Sequence, residues 1–515
     1  MATTQQTEKT DGVHLEFENS PAQETAPLDK IDTVHNDEGI AIIANYDGEQ
    51  TWTPEEEKKL VRKIDRRVLP ILFVTFALQF YDKYMLSHAA IFGLRTDLDL
   101  TVGNRYAMTA AIFYLGYMAG AYPMTLLAQR FRINHVIFAT VLIWGLCVLS
   151  TAGCTTYRGI YTQRFFLGIL ESGIPPTFMV VVGSWYTKAE QTFRQGIWFS
   201  AAGLVAVPAP LVNYGLGHIK GALGPWQYMY IFAGSITTLW AVPIFFFMEP
   251  DPVHAKSLSE REKFIAISRI KVNNTGVRNT HFKTKQLGEI LMSLKFWLLA
   301  GMGLCITAIS TISTVFLPIL IAGMGFSGFN ALLLSVPVGV VSTFLCIVTT
   351  WTCRVLSKYN PRTWGIFVCG VCMLLTAAIM WKVPHAPIGA KLFLLYLIQC
   401  FPGCYALIMD LSIANTAGYT KRTLMSAGLY FGYCVGNFVT PFTFLVEEGP
   451  TYPTGFTYIT AVISLFLVLV LVLAYRFVCV RENKRRDAAG FVESFDHAYE
   501  DDATDKTNMN FRYVY

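Results

Sequence analysis

Twelve apolar runs, each near the length that crosses a bilayer, dominate this chain; their approximate limits are 68–90, 107–128, 135–153, 159–182, 195–217, 226–248, 295–320, 330–352, 363–381, 390–414, 424–446 and 455–478. Lipid offers no partner to backbone N–H and C=O groups, so a run of about 20 apolar residues can satisfy them only as a helix. The pattern predicts an all-α integral membrane protein with twelve transmembrane helices. Composition points the same way. Of 515 residues, 53% are hydrophobic and only 15% charged, whereas a soluble chain carries about 25% charged residues.

The connections divide the runs six and six. Most are short, but 249–294 is long, polar and charged. The expected organisation is a tail over 1–50, a juxtamembrane helix over 51–67, a six-helix half over 68–248, a linker over 249–294, a second half over 295–478 and a tail over 479–515. The first tail is rich in Thr, Asp, Glu and Asn, has no apolar core and reads as disordered rather than as a signal peptide. The tail after Arg481 reads the same way.

Lys and Arg collect on one side of the predicted membrane. They fill EEEKKLVRKIDRR before the first span, the 249–294 loop, RENKRR after the last span, and the turns holding Arg130, Arg132, Lys188, Arg194, Lys421 and Arg422. The positive-inside rule makes that side, with both termini, cytoplasmic. The sequon Asn273-Asn274-Thr275 falls in the same loop and is expected to go unused. Helix starts are legible at Thr53-Pro54-Glu55-Glu56 and at Ser259 with Glu262, both capping-box patterns. Trp52, Leu60, Val61, Ile64 and Val68 share a helical face, which reads as an interfacial helix or as a solvated basic linker.

Charges inside the runs carry the functional signal. Asp82 and Lys83 interrupt FALQFYDKYMLSHAAIFGL, and span 4 holds Arg164 and Glu171. At 1.5 Å per residue, Asp82 lies about 21 Å from the inner end of span 1 and Arg164 about 8 Å from the outer surface, which are similar depths. Each lone charge at a helix centre costs about 2.5–3.5 kcal/mol. The four are net neutral, so pairing of Asp82 with Arg164 around a cavity is expected, with a purely structural ion-pair lock as the alternative. Asp82 and Glu171 are the candidate proton-coupling groups. Lys83 stands about 100° from Asp82 on the helix, so it either meets a substrate anion or snorkels outward. Lys83 and Arg164 are the candidate anion contacts. Gln399 and Asn437 are uncharged candidates for substrate selectivity, although Asn437 could instead bond a neighbouring helix. His88 reads as an inert interfacial residue. Gly116 with Gly120, and Gly428, Gly432 and Gly436, read as packing faces. GLVAVPAPLVNYGLG should bend span 5. Cys369 and Cys372 have CxxC spacing but lie in an apolar run, which suits packing rather than zinc or redox chemistry.

No GK[ST] phosphate loop, HExxH or GxSxG turn is present, so neither catalysis, a cofactor nor a metal is expected. YDKYMLSHAAIFGL, RFFLGILESGIPP, SWYTKAEQTFRQGIWFSAAGL, NTAGYTKR and GYCVGNFVTP, followed by EEGPTYPTGF, together resemble major facilitator superfamily transporters of the fungal allantoate permease type, the anion:cation symporters. The resemblance covers about 60–480. It implies the major facilitator fold of two six-helix halves, and secondary active transport of a small organic anion by alternating access, with proton-coupled uptake across the plasma membrane. The implied partners are that anion, protons and the lipid bilayer, with no nucleic acid and a monomeric state. A proton-antiport exporter of a small metabolite, or a transporter-like nutrient sensor, is the alternative. The chain departs from the superfamily at LLAQRFRINH, where Gln129 stands in place of an acidic residue, which puts the usual gating carboxylate in doubt.

Overall fold

The computed structural model describes residues 42–43, 46–270, 283–326, 330, 333–383, 386–444, 448, 452–462, 470–490 and 504–515. The sequon and nearly all of the first tail lie outside them. Span 1 is the helix Pro54–Ala89, span 2 Arg105–Arg130, span 3 Ile133–Ser150, and span 6 Pro225–Phe247. Span 4 is two helices, Tyr157–Glu171 and Ile174–Trp185, as is span 5, Lys188–Val205 and Pro208–Leu216. Span 7 runs Leu294–Thr311, widens through a π turn at Ile312–Phe316 and continues as Leu317–Ala322. Span 8 is Val336–Val355, span 9 Arg362–Lys382, span 10 Ile388–Leu397 and Phe401–Ala414, and span 11 Tyr419–Val439. Span 12 is described as Pro453–Ala461 and Val472–Ala489. Among the described residues there is no strand. Among the described residues, nine helical segments, spans 2 to 10, are long and apolar enough to cross a membrane.

Within the first half, span 2 packs on span 4 and span 3 on span 6. Between halves, span 5 meets spans 8 and 10, span 2 meets span 11, span 4 meets spans 10 and 11, and span 1 meets span 7. Glycines permit the closest approaches. Gly116 faces the backbone of Phe165, Gly168 that of Phe113, and Gly432 that of Ala300. A Cβ at any of them would strike a neighbouring main chain, so the small-residue faces are packing faces.

Two terminal expectations change. The juxtamembrane helix is not separate: one 36-residue helix runs from Pro54 through span 1. Thr53 caps it reciprocally with Glu56. Its buried face, Leu60, Ile64 and Val68, turns toward protein. The linker helix Glu260–Ile270 lies beside it, capped by Ser259, with Trp52 edge-on to Phe264 and Lys63 bonded to Glu262 at 2.7 Å. Protein therefore occupies the face that the pattern assigned to lipid.

The second tail also differs from its expectation. Residues 504–515 dock on the linker side instead of trailing away. Asp505 bonds Lys421 of span 11 at 2.7 Å and Lys295 of span 7 at 3.4 Å. Phe511 lies 3.8 Å from the Lys188 ammonium of span 5. Arg486 donates to the carbonyls of Asp505, Asn508 and Phe511. Those partners are scattered through the sequence, so composition alone could not show them.

Candidate functional site

Two proline-made breaks shape the centre. Pro175 has no N–H, so it cannot close the helical bond to the carbonyl of Glu171. Span 4 stops there and restarts at Ile174. The freed carbonyl accepts from Gln79 Nε2 of span 1 at 3.2 Å. Span 10 breaks likewise at Ile398–Cys400, just before Pro402. These are the fourth span of each half, so the interruptions occupy corresponding positions in the two repeats. Paired interruptions of that kind mark a substrate site at the midplane.

Lys83 points between the halves. Its ammonium lies 4.7 Å from the ring centre of Phe80, 5.7 Å from Phe113 and Tyr117 of span 2, and 5.8 Å from Tyr433 of span 11. It does not snorkel to the surface. Among the described residues no carboxylate stands within ion-pair distance of it. Glu171, fully buried, is nevertheless within its field. The break after Glu171 leaves its carbonyl bonded to Gln79 and its carboxylate in the field of Lys83.

Asp82 and Arg164 do not pair in this conformation. Arg164 Nη2 donates to Tyr230 Oη of span 6 at 2.6 Å. Asp82, 2% exposed, faces Trp144 of span 3, and Glu171 acts on it more strongly than Arg164 does. The 100° between Asp82 and Lys83 on the helix leaves Asp82 inside the first half and Lys83 toward Tyr433 of the second. Among the described residues, no hydrogen bond of good geometry reaches either carboxylate oxygen of Asp82 or of Glu171, although the Trp144 and Gln79 donors act on them.

Gln399 and Asn437 are not gathered around Lys83. Gln399 sits in the span 10 break, which packs on spans 8 and 9, and its amide donates to the Leu395 carbonyl at 3.5 Å. Asn437 accepts from Thr311 of span 7 at 3.0 Å and donates to the Tyr433 carbonyl at 2.9 Å. Its amide is thus spent on helix packing, next to a ring that faces Lys83. His88 is buried, not interfacial, with Nδ1 2.7 Å from Asn213 Nδ2 of span 5.

The linker side is closed. Arg362 of span 9 bonds Asp410 of span 10 at 2.5 Å and the Lys188 carbonyl of span 5 at 2.7 Å. Thr192 of span 5 donates to Asp410 at 2.6 Å. Gln129 donates to Thr420 of span 11 at 2.9 Å. A neutral amide therefore joins the halves where a carboxylate is usual. Sequence reading missed Arg362, which sits at a predicted helix end, and the tyrosines around Lys83. Tyr114 with Tyr117, and Tyr430 with Tyr433, are three residues apart and share a helical face; that spacing was the available signal.

The sequence profile of the Major Facilitator Superfamily matches residues 72–441. The chain belongs to the major facilitator superfamily. Allantoate permease of Saccharomyces cerevisiae is 30% identical over 483 residues, covering 90% of this chain and 87% of that protein. The thiamine pathway transporter THI73 of the same yeast is 29% identical and covers 95% and 92%. An uncharacterized transporter, C757.13, of Schizosaccharomyces pombe is 31% identical over 517 residues, covering 98% and 97%. Among solved structures, the proton:xylose symporter XylE bound to 6-bromo-6-deoxy-D-glucose superposes with a TM-score of 0.60 at 13% identity, over 80% of this chain and 96% of that one. That likeness fixes the fold. Like its superfamily relatives, this protein is a multi-pass membrane transporter of small molecules, not an enzyme.

Proposed function

We propose that the protein carries a small organic anion into the cell across the plasma membrane, driven by protons, with the linker side cytoplasmic. One observation carries the reading: a lysine ammonium between the two halves with rings around it and, among the described residues, no carboxylate in ion-pair contact. A half-buried cation in a membrane-spanning segment is costly unless an anion visits it. Lys83 is the main contact for the substrate carboxylate, and Arg164, held by Tyr230, is the second cation. Glu171, in the field of Lys83, and Asp82 are the proton carriers. Binding of anion and proton at neighbouring groups couples the two. The name of the yeast allantoate permease supports a carboxylate, and the basic linker face supports the orientation.

The test is uptake of radiolabelled carboxylates, with matched amides as competitors, across an imposed pH gradient. Wild type should accumulate a carboxylate when the outside is acidic, and the amide should not compete. Lys83→Gln should weaken carboxylate binding by about tenfold or more, equivalent to about 1.4 kcal/mol. Glu171→Gln should abolish proton-driven accumulation while exchange of bound substrate continues. Externally added maleimide should not reach a cysteine placed at Lys256 in the linker. Accumulation indifferent to pH, or a Lys83→Gln variant that still prefers carboxylate over amide, sinks the reading.

A further inference from the structure

The surroundings of Lys83 also bear on the shape of what binds, given the anion reading above. Its walls are π faces, three from the first half and Tyr433 from the second. The two halves meet here ring against ring. Tyr114 stands 6.3 Å from Tyr433, and Tyr117 stands 6.4 Å from Tyr430 with their planes 27° apart. One level away, Phe199 of span 5 lies 5.3 Å from Tyr405 of span 10. Alternating access has to part the halves, and it parts these pairs with them. Each parted pair leaves a flat face with a negative quadrupole. An aliphatic chain can fill the volume beside such a face, but only another π system restores the stacked or edge-on geometry.

A polar group waits at the same place. Tyr117 Oη is fully buried and has no hydrogen-bond partner among the described residues. It is a donor in want of an acceptor, such as a ring heteroatom or a ring substituent. Lys83 is held by cation–π contacts, which a carboxylate at the ammonium can replace while a ring attached to it takes the neighbouring faces.

We propose that the carried anion is a planar aromatic or heteroaromatic carboxylate, with its carboxylate on Lys83 and its ring between Tyr117 and Tyr433. A flexible aliphatic acid of the same size satisfies the cation but not the rings. Tyr433 is thereby a specificity residue, and its place in the second half makes ring binding a means of drawing the halves together.

The experiment uses the full-length chain in lipid nanodiscs and three probes of equal ring size: benzoate, cyclohexanecarboxylate and benzamide. Benzoate should bind about tenfold or more tightly than cyclohexanecarboxylate, which has the same charge and carbon skeleton. Tyr433→Leu should bring that ratio close to one, and Tyr433→Phe should keep it. Equal affinity for the two carboxylates overturns the ring proposal and leaves the anion reading standing. Benzamide binding as tightly as benzoate overturns the anion reading and this proposal together, as does absence of binding by both carboxylates at millimolar concentration; binding of cyclohexanecarboxylate but not benzoate overturns the ring proposal alone. If Tyr433→Leu fails to fold, the wild-type ratio and the Tyr433→Phe variant still decide.

Discussion

Asn437, which the sequence leaves open between a substrate contact and a bond to a neighbouring helix, makes the helix bond in this structure. Its depth in span 11 made it a candidate for substrate. Its amide in fact spans from Thr311 to the Tyr433 carbonyl, inside the interface of spans 7 and 11. Interhelical side-chain bonds in membranes average about 0.6 kcal/mol and reach about 1.7. Asn437→Ala should therefore lower the melting temperature of the purified protein slightly, with benzoate affinity unchanged in the same preparation. A loss of affinity without loss of stability would return Asn437 to the substrate site. The buried charges were legible because charge inside oil is rare and costly. Which neighbour each one faces was not legible. Seven residues separate Arg164 from Glu171, two turns and nearly one face, yet Arg164 goes to Tyr230 and Glu171 answers to Lys83. A cation–π wall also leaves no mark in a charge count, so Tyr433 stayed hidden behind ordinary apolar composition.

At the scale of elements, the spans themselves could be read from length and hydropathy; the limits of spans 2, 3, 6 and 9 lie close to those of the helices, whereas the helix of span 1 begins already at Pro54, that of span 5 at Lys188, and that of span 11 ends at Val439. The breaks were only half legible. The prolines of span 5 announced a bend, and the helix does stop at Val205 and restart at Pro208. The break in span 4 depends on what receives the carbonyl that Pro175 leaves free, and that donor, Gln79, is 92 residues away. Gln79→Leu keeps the volume and removes the donor. The Glu171 carbonyl is then buried without a partner, which costs about 1–3 kcal/mol. The expected outcome is a clear drop in melting temperature together with weakened proton coupling, because the end of the helix positions Glu171. Gln79→Glu, which keeps an acceptor-capable side chain but no amide donor, should not restore either property at neutral pH. Full stability of the leucine variant would show that span 4 holds its break without help from span 1.

At the scale of the whole molecule, the linker side is held shut by contacts from three sources. Arg362 and Asp410 clasp span 5, Gln129 reaches span 11, and residues 504–515 lie beneath both halves. The last of these behaves as a strap. Its anchor is Asp505, fully buried between Lys295 and Lys421. Burial alone would raise its carboxyl pKa, but the two lysines, with hydrogen bonds from Lys421 and Tyr513, outweigh burial and hold it below the usual 3.8. A carboxyl with a depressed folded pKa stabilises the docked state above its unfolded pKa, and that contribution is lost as pH falls through the folded value. The Asp505 contribution to the strap should thus persist from neutral pH down to about pH 4, and be lost only in stronger acid. Cys479, buried in the last helix within the field of Lys295 and Asp505, is a native reporter. Deleting residues 504–515 should raise its rate of maleimide labelling by about tenfold or more, the equivalent of about 1.4 kcal/mol of lost protection. Asp505→Asn, which keeps the shape and removes the charge, should give an intermediate rate at pH 7. An equal labelling rate in the deletion and the full chain would mean that the strap neither shields the last helix nor helps to hold the linker side closed.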